Sequence, residues 1–229
     1  MLLEFHVHTN QSLCSNLSIK NIEDYLQKSE IDFLAVVDHD VKIPAELAAN
    51  PKIIPGIEFT TNRGDIIGLF MNKPIESHDA RKIVDFIHQE GGLVLIPHPF
   101  KKVQAHWDDF VKDIDLLEIY NPRVSDQANR QAEVFALMYN LKMVAGSDAH
   151  LKPELGLSLM EMKENTEKNE LKKAIVTEKI KILKTLPTKS SAVWESKVRR
   201  KFRKKKYWQS MVQFVIWQFV KLREVLIGK

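Results

Sequence analysis

Apolar residues follow two patterns along this chain. Short runs such as 33–37 are almost wholly apolar, which is typical of strands buried on both faces. Longer segments carry apolar residues at helical spacing, as Ile19, Ile22 and Leu26 do after the N-cap candidate Ser18. These patterns predict strands up to His8 and over 33–37, 53–58, 64–71, 93–96, 115–120, 142–145, 157–162 and 180–183, and helices over 19–29, 44–49, 79–89, 127–141 and 167–176.

The order of these elements predicts the fold class. Strands that alternate with helices over about 185 residues favour a parallel sheet with crossover helices, apart from a hairpin at the turn 62–64. Polar residues of the kinds that bind metals follow several of the strands. A β/α barrel brings such strand ends to one mouth, whereas an open doubly wound sheet, the alternative fold, would spread them along an edge. We therefore expect an α/β barrel over residues 1–186.

The chain beyond residue 186 has a different pattern. Residues 187–191 are predicted to be a linker, 194–206 are basic, and 207–227 form an amphipathic helix, so that 187–229 make a basic linker and a C-terminal helix. Its apolar face is interrupted too often for a membrane-spanning helix. Two interpretations remain open: the helix lies on an anionic membrane surface, or it packs on the barrel or a second subunit.

The charge is unevenly distributed between these two parts. The 229 residues have a net charge of +4, but 194–206 alone hold eight Lys or Arg and one Glu, so that residues 1–193 are net acidic. Nucleic acid is therefore a less favoured partner than a membrane surface, and only the basic tail would bind it. A single cysteine, Cys14, and the absence of a signal-like N-terminal segment predict a cytoplasmic protein, with peripheral membrane attachment through 194–227 as an option.

Histidines and carboxylates stand at the ends of five predicted strands. His6 and His8 are two residues apart, and side chains at that spacing share one face of a strand. The full set of candidate metal ligands is His6, His8, His39, Glu58, His98, Asp148 and His150. Imidazole and carboxylate without thiolate suit zinc, manganese or iron, and seven ligands exceed what one tetrahedral ion needs.

The site is therefore expected to hold at least two divalent ions, with Glu58 as the bridging carboxylate. Two such ions would lower the pKa of a bound water and provide hydroxide at neutral pH. The positive charge of two divalent ions exceeds the negative charge of Glu58, Asp148 and one hydroxide. The site therefore stays net positive, which favours an anionic oxygen ester as substrate. Glu58 and Asp148 are the predicted catalytic residues.

Six motifs occur in the order found in one known family: His6-Val7-His8-Thr9, Val37-Asp38-His39-Asp40, Gly56-Ile57-Glu58, Pro97-His98-Pro99, Glu118-Ile119-Tyr120-Asn121 and Gly146-Ser147-Asp148-Ala149-His150. From residue 2 to about 160 the chain resembles the PHP domain, the polymerase and histidinol phosphatase family of metal-dependent phosphoesterases. The resemblance implies a distorted seven-unit β/α barrel and a two- or three-metal centre that hydrolyses phosphate esters. It also implies one ion on His6, His8, Glu58 and Asp148, a second on Glu58 and His98, and a third on His39 and His150.

Two positions depart from the family pattern. Leu13 stands where the family often has an aspartate, which weakens the third ion position unless Ser12 or a water completes it. A histidine common after the bridging glutamate is missing, and either Asp65 or Glu118 would replace it.

Asn121 and Arg123 follow a strand end and are candidate substrate contacts, since an arginine can bind a phosphate through two nitrogens. We expect a small phosphorylated metabolite or nucleotide as substrate, with histidinol phosphate among the candidates. The alternative is a non-catalytic PHP-like module that its basic tail tethers to a membrane or nucleic acid.

Overall fold

The structure is a computed structural model that describes residues 1–101, 106–163 and 166–227. Within these ranges the strands are β1 (Leu2–Val7), β2 (Phe33–His39), β3 (Ile53–Thr60), β4 (Asp65–Leu69), β5 (Leu93–Ile96), β6 (Leu116–Tyr120), β7 (Met143–Ala149), β8 (Ser158–Met162) and β9 (Ile180–Thr185). The helices are α1 (Ile19–Lys28), α2 (Ala45–Ala49), α3 (Ala80–Gln89), α4 (Asp126–Tyr139), α5 (Lys168–Thr177), α6 (Ser190–Arg203) and α7 (Tyr207–Ile227). Most predicted elements are present, with ends shifted by a few residues.

Strands β1 to β7 form a closed barrel, which confirms the predicted fold class. They follow one another in the order β2-β3-β4-β5-β6-β7-β1, and pairing of β1 with β2 closes the ring. The sheet is mixed, because β4 runs antiparallel to both β3 and β5. The turn between β3 and β4 is too short for a parallel crossover, so the chain must reverse there.

Strands β8 and β9 lie outside the barrel. The predicted alternation of strands and helices therefore extends beyond the seven strands that close the ring. β8 pairs antiparallel with the first residues of β1, at Leu2 and Leu3, while the later residues of β1 pair with β7. β9 is antiparallel to β8 and extends the sheet away from the barrel. The interior contains buried apolar side chains such as Phe5, Val37 and Leu95.

The segment 190–203 is helical, where we predicted a basic linker. Helix α6 contacts α7 along its length. It also contacts the barrel through Arg203, whose Nη1 donates to the carbonyls of Asn10, Ser12 and Ser15 in the loop after β1. The tail is thereby held beside the open end of the barrel. The division of the chain at residue 186 remains a prediction, and residues 228 and 229 lie outside the described part.

Helix α7 spans the predicted range 207–227. Among the described residues, none of the helices is long and apolar enough to cross a membrane.

Candidate metal centre

Five strand ends deliver the seven predicted ligands to one buried cluster. β1 provides His6 and, just after its last residue, His8; β2 provides His39; β3 provides Glu58; the loop after β5 provides His98; and β7 provides Asp148, with His150 directly after it. His39 is partly exposed, whereas the other six side chains are buried. Convergence at the carboxyl ends of strands is the arrangement expected of a barrel mouth.

Glu58 lies at the centre of this cluster, and its two oxygens face different partners. Oε1 is 3.6 Å from Nε2 of His6 and 3.3 Å from Nε2 of His98. Oε2 is 3.2 Å from Nε2 of His8 and 3.0 Å from Nδ1 of His39. One carboxylate therefore faces two sets of imidazoles, as a group that bridges two ions must.

The ligand atoms fall into three groups, in each of which the atoms lie within 4.8 Å of one another. The groups are His6, His8 and Asp148; His6, Glu58 and His98; and His8, His39 and His150. The hydroxyl of Ser12, which we considered as a further ligand of the third group, donates to Asp38 at 2.6 Å. His8 joins His39 and His150 there instead.

Four buried polar atoms of the cluster have no hydrogen-bond partner among the described residues: Nε2 of His6, Nε2 of His8, and both Oε1 and Oε2 of Glu58. Burying such atoms without a partner is unfavourable, since each loses its interactions with water. All four can ligate a divalent cation, and their neighbours in the cluster are imidazoles and a carboxylate. The residues present thus fit a centre of zinc, manganese or iron.

The backbone is left-handed at three of the ligands. The φ angles are 68° at His6, 31° at His98 and 49° at Asp148, all in a region that non-glycine residues rarely adopt. The pairing register of β1 shifts between Glu4 and Val7. His6 and His8 therefore reach the same site through an irregular strand end, and the regular two-residue alternation that we expected does not apply. Strained backbone of this kind is common at functional sites.

Glu118 supports two ligands without joining the cluster. Its Oε1 is 2.9 Å from Nδ1 of His6, and since a carboxylate only accepts, that nitrogen carries the proton and Nε2 is free to ligate. Its Oε2 accepts from the backbone N–H of His98 at 2.7 Å and from Nδ2 of Asn121 at 2.9 Å. Asp65 has an oxygen 4.0 Å from Nε2 of His98. With both oxygens of Glu118 engaged, Asp65 is the better placed of the two to complete the second ion.

Asp38 organises the loop that follows β1. It is fully buried and accepts from the backbone N–H and hydroxyl of Thr9 at 2.8 and 2.6 Å. The hydroxyl and backbone N–H of Ser12 bind the same carboxylate. Ser12 in turn accepts from the backbone N–H of His39 at 3.0 Å. This network links the ends of β1 and β2 next to two of the ligands.

The electrostatics of the cluster favour ionised carboxylates. Burial would raise the pKa of Glu58, but the imidazoles of His39 and His6 outweigh that effect and hold it well below its usual range. For Asp148, burial is likewise outweighed by His6 and by Lys101, and its pKa is held well below its usual range. Burial lowers the pKa of His8, assisted by His39. Burial and the nearby Arg123 lower that of His150. Against the effect of burial, Glu118 and Asp148 raise the pKa of His6 and Glu58 raises that of His39, so these two imidazoles would release a proton when a metal ion binds.

The two candidate substrate contacts, Asn121 and Arg123, differ in their surroundings. Asn121 lies against the cluster, with Nδ2 3.3 Å from Oδ2 of Asp148. Arg123 is buried and paired with Glu154, and its Nε is 3.9 Å from the same Asp148 oxygen.

Our sequence analysis missed two residues of this region. Lys101 has its Nζ 3.4 Å from Nε2 of His98 and 3.9 Å from Oδ2 of Asp148. Burial opposes its charge, but Asp148 and Glu58 outweigh it and raise its pKa, so Lys101 is cationic. Glu154 accepts from the backbone N–H groups of His150 and Leu151. The only sequence signal for either was its position a few residues after a ligand.

Comparisons with known proteins give a consistent result. Residues 126–179 match the family model described as PHP-associated. The chain is 32% identical over 180 residues to MJ0417, an uncharacterized protein of Methanocaldococcus jannaschii, and the match covers 73% of each chain.

Two solved structures share the fold at low sequence identity. One is a two-domain protein from Bacteroides vulgatus that contains a predicted PHP-like metal-dependent phosphoesterase; its TM-score is 0.62 at 15% identity, over 81% of this chain and 65% of that one. The other is an amidohydrolase from Chromobacterium violaceum with bound sulfate and no metal; its TM-score is 0.53 at 16% identity, over 65% of this chain and 87% of that one.

Proposed function

This chain belongs to the PHP family, and from that premise we propose that it is a metal-dependent hydrolase of phosphate esters. The observation that carries the proposal is the position of Glu58, whose two buried oxygens face separate pairs of imidazoles and have no hydrogen-bond partner among the described residues. Such a carboxylate is suited to hold two cations a short distance apart. The cofactors proposed are two or three divalent ions of manganese, zinc or iron.

The residues of the site have separate tasks in this proposal. His6, His8, Glu58 and Asp148 hold one ion, Glu58 and His98 hold a second with Asp65 beside them, and His39 and His150 with His8 hold a third. Divalent ions so placed act as Lewis acids and lower the pKa of a bound water. Glu118 holds His6 in the tautomer that leaves Nε2 free. Asp38 keeps the loop after β1 in place through Thr9 and Ser12.

The charges around the site favour an anionic substrate. Lys101 and Arg123 each have a nitrogen within 4 Å of Oδ2 of Asp148. Arg123 is engaged by Glu154, whereas the Lys101 side chain is 46% exposed and can move toward a ligand. A phosphate group of a small metabolite or nucleotide suits this lysine beside a dinuclear centre. Histidinol phosphate is one candidate within this class.

The second candidate is hydrolysis of an amide bond, which the amidohydrolase of Chromobacterium violaceum brings into consideration because it shares the fold. A neutral amide has no ground-state charge for the Lys101 ammonium to bind, whereas a phosphate ester does. We therefore favour the phosphate ester.

The test is hydrolysis by purified full-length protein whose metal content has been measured. The substrates are a phosphomonoester, a phosphodiester, histidinol phosphate, 3′,5′-nucleotides and an amide, with manganese, zinc or iron supplied. We expect phosphate release that EDTA abolishes and that added metal restores. Glu58→Gln should lose it, and Glu23→Gln, on the exposed side of α1, should keep it. Metal-loaded protein that cleaves only the amide, or none of these substrates, would contradict the proposal; the second result would favour a non-catalytic module.

A further inference from the structure

Helix α7 packs on α6 through its least exposed residues, which are Ser210, Gln213, Trp217, Val220 and Glu224. The hydroxyl of Ser210 donates to the carbonyl of Val198, and the amide of Gln209 accepts from Lys201 at 2.9 Å. Near the other end of the helix, Glu224 accepts from the backbone N–H of Ser191 at 2.9 Å and from its hydroxyl. The covered side of α7 thus combines these hydrogen bonds with the apolar side chains of Trp217 and Val220.

The opposite side of α7 is apolar and uncovered. At helical spacing along this side stand Trp208, Met211, Val215, Phe219, Leu222 and Leu226, which we call the α7 stripe. The exposed fractions are 75% at Trp208, 69% at Phe219 and 76% at Leu226. Contiguous exposed apolar surface of this size is rare on a soluble monomer and marks a contact surface.

Basic side chains line a groove beside this helix. The cavity is surrounded by Lys197, Arg200 and Lys201 of α6, by Lys204 and Lys206 between α6 and α7, and by Gln213 of α7. The two carboxylates of the described tail are both engaged elsewhere. Glu195 pairs with Arg199, and Glu224 binds Ser191. The positive charge of the groove therefore lacks a local counterpart.

We propose that the α7 stripe lies in the interface of an anionic membrane while the basic groove contacts lipid phosphates. The pairing of an apolar helix face with lysines and arginines is what such a surface binds. A second copy packed on the stripe would leave the positive charge of the groove without a counterpart. Nucleic acid would attract the groove but would leave the stripe in water. This inference does not depend on the hydrolase activity.

The experiment is cosedimentation of the full-length protein with vesicles, either of phosphatidylcholine alone or of phosphatidylcholine mixed with phosphatidylglycerol. We expect binding only to the mixed vesicles. Trp208→Ser combined with Phe219→Ser should weaken it about tenfold or more, because both side chains insert into the interface. Lys197→Gln combined with Lys204→Gln should weaken it as well and should make the remainder less sensitive to salt.

A matched control uses exposed apolar residues elsewhere on the chain. Leu137 and Met138 of α4 are 65% and 69% exposed, so Leu137→Ser with Met138→Ser removes comparable surface and should leave vesicle binding unchanged. Circular dichroism of each variant verifies that the helices are retained.

Three results would overturn the proposal. They are no binding to anionic vesicles, binding that the Trp208 and Phe219 substitutions do not affect, and a dimer in light scattering that those substitutions dissociate. The last result would assign the stripe to a second copy.

Discussion

Nδ1 of His6 and Oε1 of Glu118 lie 2.9 Å apart in the buried wall of the barrel, although 112 residues separate them in the chain. The same glutamate holds the backbone of His98, so one carboxylate orients two candidate ligands, one on β1 and one in the loop after β5. Partners of this kind determine how well a metal site is preorganised.

Glu118→Gln should therefore weaken metal binding while the barrel stays folded. Loss of the charge and of one acceptor atom reduces the preference of His6 for the tautomer that ligates through Nε2. We expect metal affinity to fall about 10- to 100-fold. Competition with a chromophoric chelator measures this directly. Glu23→Gln on the exposed side of α1 is the control, and an unchanged affinity in Glu118→Gln would refute the orienting role.

Gly146→Ala tests the close approach of β7 to this pair. A methyl group at that position would lie 1.9 Å from Oε1 of Glu118 and 2.8 Å from Cβ of His6, so both side chains must move. We expect a loss of about 1–3 kcal/mol in the free energy of unfolding, together with weaker metal binding.

Gly91→Ala separates these two effects. Gly91 has a φ of +71° and no atom within 4 Å of an added methyl group, so this variant suffers only backbone strain of about 1 kcal/mol. Urea unfolding and metal analysis of both variants make the comparison. If Gly146→Ala keeps its full metal content, the crowding at His6 is harmless to the site.

Glu58→Gln should cost more activity than His39→Gln. Glu58 faces both sets of imidazoles, whereas His39 stands at the partly exposed edge of the cluster. On the proposed function, we expect kcat to fall at least about a hundredfold for Glu58→Gln and about tenfold or less for His39→Gln. Steady-state kinetics at saturating metal decide the matter, and equal losses would speak against a bridging glutamate.

Glu4 gives the protein a pH dependence of its own. Burial raises the pKa of its carboxyl to about 7, against the stabilising hydrogen bonds from Tyr25 and from the N–H of Gly156. Because the folded state binds this proton more tightly than the unfolded state, the contribution of Glu4 to stability is greatest below pH 4.5. It falls as the pH rises through 7, by about 3 kcal/mol in all.

Glu4→Gln should abolish that dependence. The variant should match the original protein near pH 4 and exceed its stability near pH 8, when both are unfolded in urea with EDTA present. The difference between the two proteins is the quantity to follow, since other groups titrate in both. A constant difference across this range would show that Glu4 titrates normally.

The sequence by itself determined the fold class and predicted the set of candidate ligands. His6-Val7-His8, Glu58 and Gly146-Ser147-Asp148 each follow a buried apolar run, and local periodicity is enough to locate strand ends. Once those runs are assigned to one barrel, their carboxyl ends must meet, so the seven side chains could be listed together without coordinates.

Only the tertiary structure decided what surrounds the ligands. Glu118 reaches His6 because β6 lies beside β7 and β7 beside β1, an adjacency that no local pattern encodes. The left-handed backbone at His6 and Asp148 is likewise imposed by the packing of the barrel, since neither residue favours it. Periodicity also showed that α7 has an apolar side, but not which side would be covered. That depended on the packing of α7 on α6, which covers Ser210, Trp217 and Glu224 and leaves the side with Trp208 and Phe219 in solvent.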